Sequence, residues 1–597
     1  MRFAVLLLLS SVVGAQSSAL LRLDPINLIP PVASSDGRAV AFAAAMDPSG
    51  APRKGTDLYI FDSELRRVTD YAGETNFTGV TGVAWAAGFV GFTAQPAGPD
   101  GIEEVHLYDV ARGAHRTLVS EKFTCAQPLC VACRRTCLGP VHLTADGASV
   151  LYSVAANQPL RVVTADGAGH KALPIYSGGV ASSPQRVISR AGQLVFSSSA
   201  PSGPTFAAAA ADVHVVNLDG TGLRQVTRFG NAAFFALGAT SSADGALIAF
   251  ESNYPQSDVR GRNQIWLVRS DGTGLRQISS GSDAASGPSI SADGSTVVFV
   301  QGGQIKRVKT GDASLLTLTN FTVSVPRDPV LSDDGSSVVF TLGPPSGTGA
   351  AVYRIPADVP SDMRQFTPIY TPRSINPGGV LSAAGFGAPS PGSLISVYGT
   401  NLGTDEFQQA GSFPLPVSLN GVSLSVNGRN IPLSAVTPWQ INAQLPQSVT
   451  AGRAEFQVPA LAPWNVAIAS TSPEVLALPV ARNARYSQAA AFHAGSGVPA
   501  DTEHPAAAGD VIEIYGLGLG VTEPSPEAGQ PSPASPPARA VRMPRVQIGG
   551  RDASVIFAGL TPGLAGVYQV NVVVPNLPAG VHVLTWGGEG FLSIAVK

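Results

Sequence analysis

The sequence predicts an all-β protein: a β-propeller of six or seven four-stranded blades, seven when every copy of its repeat is counted, followed by two immunoglobulin-like β-sandwich domains. Three observations predict it. An Asp-Gly turn recurs ahead of an apolar run through the first two thirds of the chain, and a different motif occurs twice in the last third. In addition, 65 glycines and 48 prolines punctuate 597 residues that are 44% hydrophobic and 13% charged. That composition excludes a coiled coil, a collagen and a solvated disordered chain. With 38 basic and 41 acidic residues and no long run of either sign, the chain also lacks the electrostatic footprint of a nucleic-acid binder.

The first element is an address. Met1 and Arg2 give a positive start, Phe3 to Val13 are apolar, and Val13-Gly14-Ala15 offer small residues before Gln16. Residues 1–15 read as a secretory signal peptide, because a run of about eleven residues is too short to span a bilayer, which needs roughly 20. The first cysteine is Cys125, so the pattern of a lipid-anchored leader is missing. No later stretch reaches about 18 apolar residues, and the mature chain is expected without a membrane span. The expected location is periplasmic, cell-surface or secreted.

The repeat comes next, over residues 20–370. Asp36-Gly37, Asp146-Gly147, Asp244-Gly245, Asp293-Gly294 and Asp334-Gly335 lead into Val40-Ala41-Phe42, Val150-Leu151-Tyr152, Ile248-Ala249-Phe250, Val297-Val298-Phe299 and Val338-Val339-Phe340. Weaker copies end in Gly88 and Gly192, and successive turn glycines lie 41 to 59 residues apart. Asp-Gly between alternating apolar segments predicts a hairpin with a type I′ turn, in which both central residues take positive φ. A second turn recurs in each unit, as in Asp219-Gly220-Thr221-Gly222-Leu223-Arg224-Gln225 and Asp271-Gly272-Thr273-Gly274-Leu275-Arg276-Gln277. Two hairpins per unit make four strands, the arithmetic of a propeller blade, and a strand from about Leu20 to Leu28 would complete the last one. The repeated aspartates and glycines are thus assigned to turn chemistry, not to a metal or catalytic site.

Ser-x-Asp-Gly, Ile-Ala-Phe, Gln264-Ile265-Trp266-Leu267-Val268 and Asp-Gly-Thr-Gly-Leu-Arg-Gln-Ile together resemble the TolB-type, WD-repeat-like propeller repeat. The resemblance covers roughly residues 30–370 and implies the fold alone. The α/β domain that precedes the propeller in TolB has no counterpart here.

The last third holds a duplicated module. Pro391-Gly392-Ser393-Leu394-Ile395-Ser396-Val397-Tyr398-Gly399 returns as Ala508-Gly509-Asp510-Val511-Ile512-Glu513-Ile514-Tyr515-Gly516, 117 residues on. Gln440-Ile441-Asn442-Ala443-Gln444 returns as Gln569-Val570-Asn571-Val572-Val573 at an offset of 129. The growing offset marks Pro524 to Arg539 as an insertion, expected to be a mobile or polyproline-like loop. Short alternating strands between glycines and prolines predict two small sandwiches, residues 374–480 and 481–597. Val397-Tyr398-Gly399-Thr400-Asn401-Leu402-Gly403 resembles the opening of IPT/TIG-type domains, and the doubled pattern resembles a C-terminal module of acidobacterial exported proteins. Gln440, Asn442, Gln569 and Asn571 alternate along their strands, which is expected to face them to solvent or to tie a loop, with a recognition pair as the sharper alternative.

Cys125, Cys130, Cys133 and Cys137 fall within thirteen residues. In an exported chain they read as two disulfides of unknown pairing, with a four-thiolate metal site as the competing reading. There is no Gly-x-Ser-x-Gly elbow, no His-Glu-x-x-His and no phosphate-binding Gly-Lys-Ser/Thr loop, so no catalytic, metal or cofactor-binding residue is assigned and no cofactor is expected. The eight histidines are scattered, and Arg186, Arg260, Arg262, Arg327 and Asp328, near strand ends, read as ordinary loop residues, with a channel mouth as the sharper alternative. The resulting expectation is a non-catalytic binding protein that meets a protein or glycan of the cell envelope through its propeller loops and channel mouth, the sandwiches serving as spacer or second contact. A propeller enzyme of lyase or glycosidase type acting on extracellular polysaccharide or peptide, and a structural adhesion protein, are the alternatives.

Overall fold

The computed structural model describes residues 28–71, 79–95, 102–122, 141–153, 159–176, 187–199, 211–229, 234–254, 262–345, 349–385, 387–478, 487–587 and 592–597. These fall into two compact units that meet in sequence at Pro372 and Arg373. Residues 1–15, expected to be a signal peptide, and the four cysteines lie outside the described residues. Among the described residues no helix is long and apolar enough to cross a membrane.

The first unit is a seven-bladed propeller. Ile29–Ala33, Val40–Met46, Pro52–Phe61 and Leu65–Arg67 form the first blade in chain order, and Gly79–Ala86, Phe89–Gln95, Ile102–Asp109 and Ala114–Lys122 form the second. Five more antiparallel blades follow, their inner strands starting at Val141, near Ile188, and at Ala236, Ala285 and Val325. In the last blade Tyr370 bridges to Val352 and supplies the outer edge; of the strand expected from about Leu20 to Leu28, residues 20–27 lie outside the described residues. Every blade is therefore one contiguous stretch of chain. The second strand of each blade lies between neighbouring blades, which is why Val40-Ala41-Phe42, Ile248-Ala249-Phe250 and Val297-Val298-Phe299 are wholly buried and not alternately exposed.

The turns differ from the expected type. Gly37 N–H donates to Ser34 O at 2.9 Å, closing a turn in which Asp36 is third and only Gly37 takes positive φ, at 66°. Gly147, Gly245, Gly294 and Gly335 repeat this with φ of 69° to 74°, and the aspartates before them do not cross to positive φ. The hairpin is thus a type I turn followed by a left-handed glycine, not type I′. The aspartates earn this conformation through their side chains. Oδ1 of Asp36 accepts from Ser34 Oγ at 2.6 Å and from Arg38 N–H at 3.1 Å, and Asp244 accepts from Ser242 Oγ at 2.5 Å and Ala246 N–H at 2.9 Å.

A polar clamp, unread in the sequence, ties the outer strand of four blades to the third. Ser279 Oγ donates to Gln264 Oε1 at 2.6 Å and accepts from Ile265 N–H at 2.8 Å. The same arrangement joins Asp57 to Thr69, Asp212 to Thr227 and Gln304 to Thr319. Between blades, the recurring basic residue of the outer strand donates to a carbonyl in the second turn of the next blade. Arg224 reaches Ser270 O and Arg276 reaches Thr310 O, which explains why the Leu-Arg-Gln segments are near copies.

The second unit holds both sandwiches. In the first, a sheet of Ser374–Ser382, Leu394–Thr400, Gln440–Gln444, Leu433–Val436 and Gln408–Gln409 faces one of Arg429–Asn430, Ser425–Val426, Gly452–Gln457 and Trp464–Ile468. In the second, Arg551–Leu560 pairs with Val546–Ile548 through its first residues and with Tyr568–Val573 through the rest, turning the corner between two faces at an irregularity near Val555. Glu474–Val475, assigned by sequence to the first sandwich, pairs with Val511–Leu517 of the second. The duplication is exact at its glycines in what they permit: a Cβ on Gly399 would lie 2.3 Å from Ser374 O, and one on Gly516 would lie 2.3 Å from Glu474 O. Both are places where an edge strand comes too close for any side chain.

Candidate functional site

The inner strands converge on a channel, and the first turns of the blades form the rim at one end of it. Backbone hydrogen bonds run from turn to turn along this rim: Arg190 N–H to Ala243 O at 2.7 Å, Ala243 N–H to Ala292 O at 2.8 Å, Ala292 N–H to Asp333 O at 2.9 Å and Asp334 N–H to Ser35 O at 3.1 Å. The belt spans blades 4, 5, 6, 7 and 1. It fixes the rim as a rigid scaffold where loops of a small β-turn would otherwise be free to move.

Inside the rim lies a cavity of about 280 Å³. Its wall includes Trp85, His142, Arg190, Ser289 and Asp333, set among small and aliphatic side chains such as Val32 and Leu331. His142 is buried, whereas Arg190 is exposed. Ser289 Oγ is engaged by Leu331 N–H at 3.0 Å, which joins blade 6 to blade 7 at the cavity wall.

The turn aspartates stand just outside this wall, and their oxygens are occupied. The hydroxyls of Ser34, Thr144, Ser242 and Ser291 hold the carboxyls of Asp36, Asp146, Asp244 and Asp293 below the usual carboxylate range. Asp334 accepts from Ser332 Oγ at 2.6 Å and Ser336 N–H at 2.9 Å.

Arg327 and Asp328 lie away from the turns, at a break in register of the seventh inner strand between Arg327 and Val330. Blades 5 and 6 break register at corresponding places, where Gly238 and Gly287 both take φ of 62°, whereas Asp328 holds φ of 51° with a side chain in place. A non-glycine there carries backbone strain. Burial pushes the Asp328 carboxyl up, and burial does the same to Glu251, whose Oε2 accepts from Gly287 N–H at 3.3 Å. Arg262 donates to Ser282 O, and Arg186 and Arg260 lie outside the described residues.

Two histidines that are nine residues apart in sequence do meet: the rings of His106 and His115 are 5.5 Å apart. His106 Nε2 is 3.0 Å from Glu104 Oε2, and Nδ1 is 3.2 Å from Thr117 Oγ1. This hydroxyl, imidazole and carboxylate have the connectivity of a nucleophile and its base. The blade repeat gives them a simpler role. His106 stacks on Phe92 at 4.6 Å as His214 stacks on Phe196 at 5.5 Å and Tyr59 on Phe42 at 5.5 Å, so the imidazole occupies a ring-stacking position of the blade. Among the described residues no group of three or more His, Cys, Asp or Glu side chains is placed to hold a metal ion.

In the sandwiches Gln440, Asn442 and Gln569 are buried and Asn571 is half-buried, where the sequence predicts that they face solvent or tie a loop. Gln440 Nε2 donates to Asn442 Oδ1 at 2.7 Å and to Ser396 Oγ at 3.1 Å, and Gln569 Nε2 donates to Asn571 Oδ1 at 2.8 Å. Every residue of Gln440–Gln444 is buried, so both faces of that strand are covered, and most of Tyr568–Val573 is buried likewise. The insertion of residues 524–539 is docked, not mobile. Gly529 N–H donates to Gln444 Oε1 at 2.6 Å, and Gly529 O accepts from Leu415 N–H at 2.9 Å.

No protein-family model matches the sequence, and no match is found among curated proteins. Solved structures similar to the chain include TolB from Acinetobacter baumannii, at 15% identity and a TM-score of 0.32, covering 48% of this chain and 64% of that one. A puromycin-hydrolysing peptidase of Mycobacterium tuberculosis is 14% identical with a TM-score of 0.43, covering 63% of this chain and 58% of that one. The β-propeller domain of the Trilobed protease from Pyrococcus furiosus is 10% identical with a TM-score of 0.38, covering 58% of this chain and 97% of the domain. The chain thus spans less than two thirds of the TolB and peptidase structures it resembles.

Proposed function

We propose that this is an exported binding protein whose recognition surface is the propeller mouth, with the paired sandwiches, read as IPT/TIG-like modules, acting as spacer or second contact. The observation that carries this is the belted rim around a cavity of about 280 Å³. Rigid rims presenting short turns suit recognition of a protein or glycan partner in the cell envelope. Export rests on Met1-Arg2 and the apolar run Phe3 to Val13. The test is a photo-crosslinking residue placed at Ser35 on the rim, with a second at the exposed Val583 of the second sandwich as a control. A discrete adduct from native envelope is expected at Ser35; a partner captured at Val583 but not at Ser35, or at neither, overturns the reading.

One observation favours a second reading. Asp328 and Glu251 are carboxyls pushed up by burial, one of them on strained backbone, and both suit acid–base work in a propeller enzyme acting on polysaccharide or peptide. Turnover of an extracellular polysaccharide or peptide by the wild type that falls at least a hundredfold in both Asp328→Asn and Glu251→Gln would establish it.

A further inference from the structure

The turns that build the rim can be compared position by position. At the second position, blades 1, 3, 5 and 6 carry Ser35, Ala145, Ala243 and Ala292, all small and uncharged. Blade 4 carries Arg190 there. At the third position, where the strong copies of the repeat carry Asp, blade 4 has Ala191. Blade 2, with Ala86-Ala87-Gly88, also lacks the turn carboxylate, and blade 7 carries Asp333 at the second position; blade 4 is the one that combines the missing carboxylate with a rim cation.

The backbone of that cation is fixed. Arg190 N–H donates to Ala243 O, and Gly192 N–H donates to Ser189 O at 3.0 Å, so the turn keeps its shape without the aspartate. The side chain lines the cavity, is exposed, and makes no ion pair among the described residues. A guanidinium presents paired donors in the geometry of a carboxylate. The charged group on the seventh blade, Asp333, stands three blades away around the ring and disfavours an anion on its own side. The rest of the cavity surface is mostly polar, and its volume suits an end group better than a whole ligand, since ligand pockets commonly run from about 300 to 1,000 Å³.

We propose that the propeller mouth captures a carboxylate, with Arg190 as its counter-ion, and that the carboxylate is the C-terminus of a polypeptide. This rests on the mouth being the recognition surface. Capture of a chain-terminal carboxylate by a turn-built site is a recurring mode of peptide recognition, and the mostly polar cavity surface suits the peptide backbone that carries it.

The experiment is calorimetric titration of the full mature chain with acetyl-Gly-Ala-Leu-Phe as the free acid, with the same peptide as its C-terminal amide, and with butyrate. Wild type, Arg190→Gln and Arg190→Lys are compared, with matching melting curves as the check on folding. The free acid is expected to bind, the amide at least tenfold more weakly, and Arg190→Gln to lose at least tenfold for the acid only; Arg190→Lys recovers part of the loss. Butyrate is expected to compete only weakly. Equal binding of acid and amide, or an unaffected Arg190→Gln, overturns the carboxylate. Butyrate binding as tightly as the peptide keeps the counter-ion but overturns the polypeptide source. No binding by any probe, with a crosslink still forming at Ser35, overturns this inference and leaves the mouth as recognition surface; loss of both overturns that reading as well.

Discussion

The hydroxyl of Tyr370 donates to the carbonyl oxygen of Met46 at 2.7 Å, across 324 residues of chain. Its ring lies 5.0 Å from Phe42 and 5.9 Å from Tyr59, so the outer edge of blade 7 is sealed to blade 1 by a cluster of three aromatic rings and one hydrogen bond. Arg354 adds a second tie, donating to Gly37 O at 3.3 Å with its guanidinium 5.4 Å above the Phe61 ring.

Tyr370→Phe keeps the ring and removes the bond, and is expected to cost about 1 kcal/mol. Tyr370→Ala removes the packing as well and is expected to cost about 3–5 kcal/mol. Urea denaturation followed by fluorescence checks both, and equal midpoints for Tyr370→Ala and wild type would refute a sealing role.

Ser279→Ala leaves Ile265 N–H and Gln264 Oε1 without their shared partner in a buried position. A loss of about 1–3 kcal/mol is expected, with faster exchange of the Ile265 amide than of amides in blade 3. Exchange unchanged at Ile265 would show that the clamp contributes nothing to the strand.

Burial pushes the imidazoles of His106 and His214 below their ordinary value. The unfolded chain then binds more protons than the folded one between the two values, so stability is full above the ordinary histidine range and falls as pH drops through about 6.5. The carboxyls of Asp328 and Glu251 act in the opposite sense: pushed up by burial, they favour the folded state at low pH, and their contribution fades as pH rises from about 4. His214→Gln is expected to flatten the decline below pH 6.5, measured by melting temperature against pH. A steeper decline in the variant would contradict the assignment.

Gln444 holds the insertion through Gly529 N–H and reaches Gly392 O at 3.2 Å through Nε2. In Gln444→Ala, limited proteolysis is expected to cut within residues 524–539 at least tenfold faster than in wild type. Equal rates would mean the segment is held elsewhere.

The residues that announced the fold were those with local effects. Asp244 and Gly245 shape a turn within four residues, and their spacing carried the blade count; the duplicated Tyr398-Gly399 and Tyr515-Gly516 carried the two sandwiches. The misread features were set by partners distant in sequence. Whether Gln440 faced water depended on what covers both faces of its strand, and where residues 524–539 dock depended on Gln444, more than 80 residues earlier. The clamp left a trace in Gln264 and Ser279, with the pair always fifteen positions apart in blades 4, 5 and 6, but nothing local distinguishes those residues from solvated ones. Arg190 was passed over because its turn was a weak copy of the repeat, and weakness of the copy is what frees the rim position.

Because each blade is cut from one uninterrupted length of chain, the ring has no built-in register. A duplication of some 45 residues would insert a finished blade and widen the channel, and a deletion would narrow it, without splitting any sheet. What counts the blades to seven is the fit of Tyr370 against Met46 and Arg354 against Gly37: an eighth unit would have to present the same two faces to blade 1. Ring size, and with it the diameter of whatever the mouth admits, is therefore a heritable dimension that can change in single steps while every blade goes on folding as before.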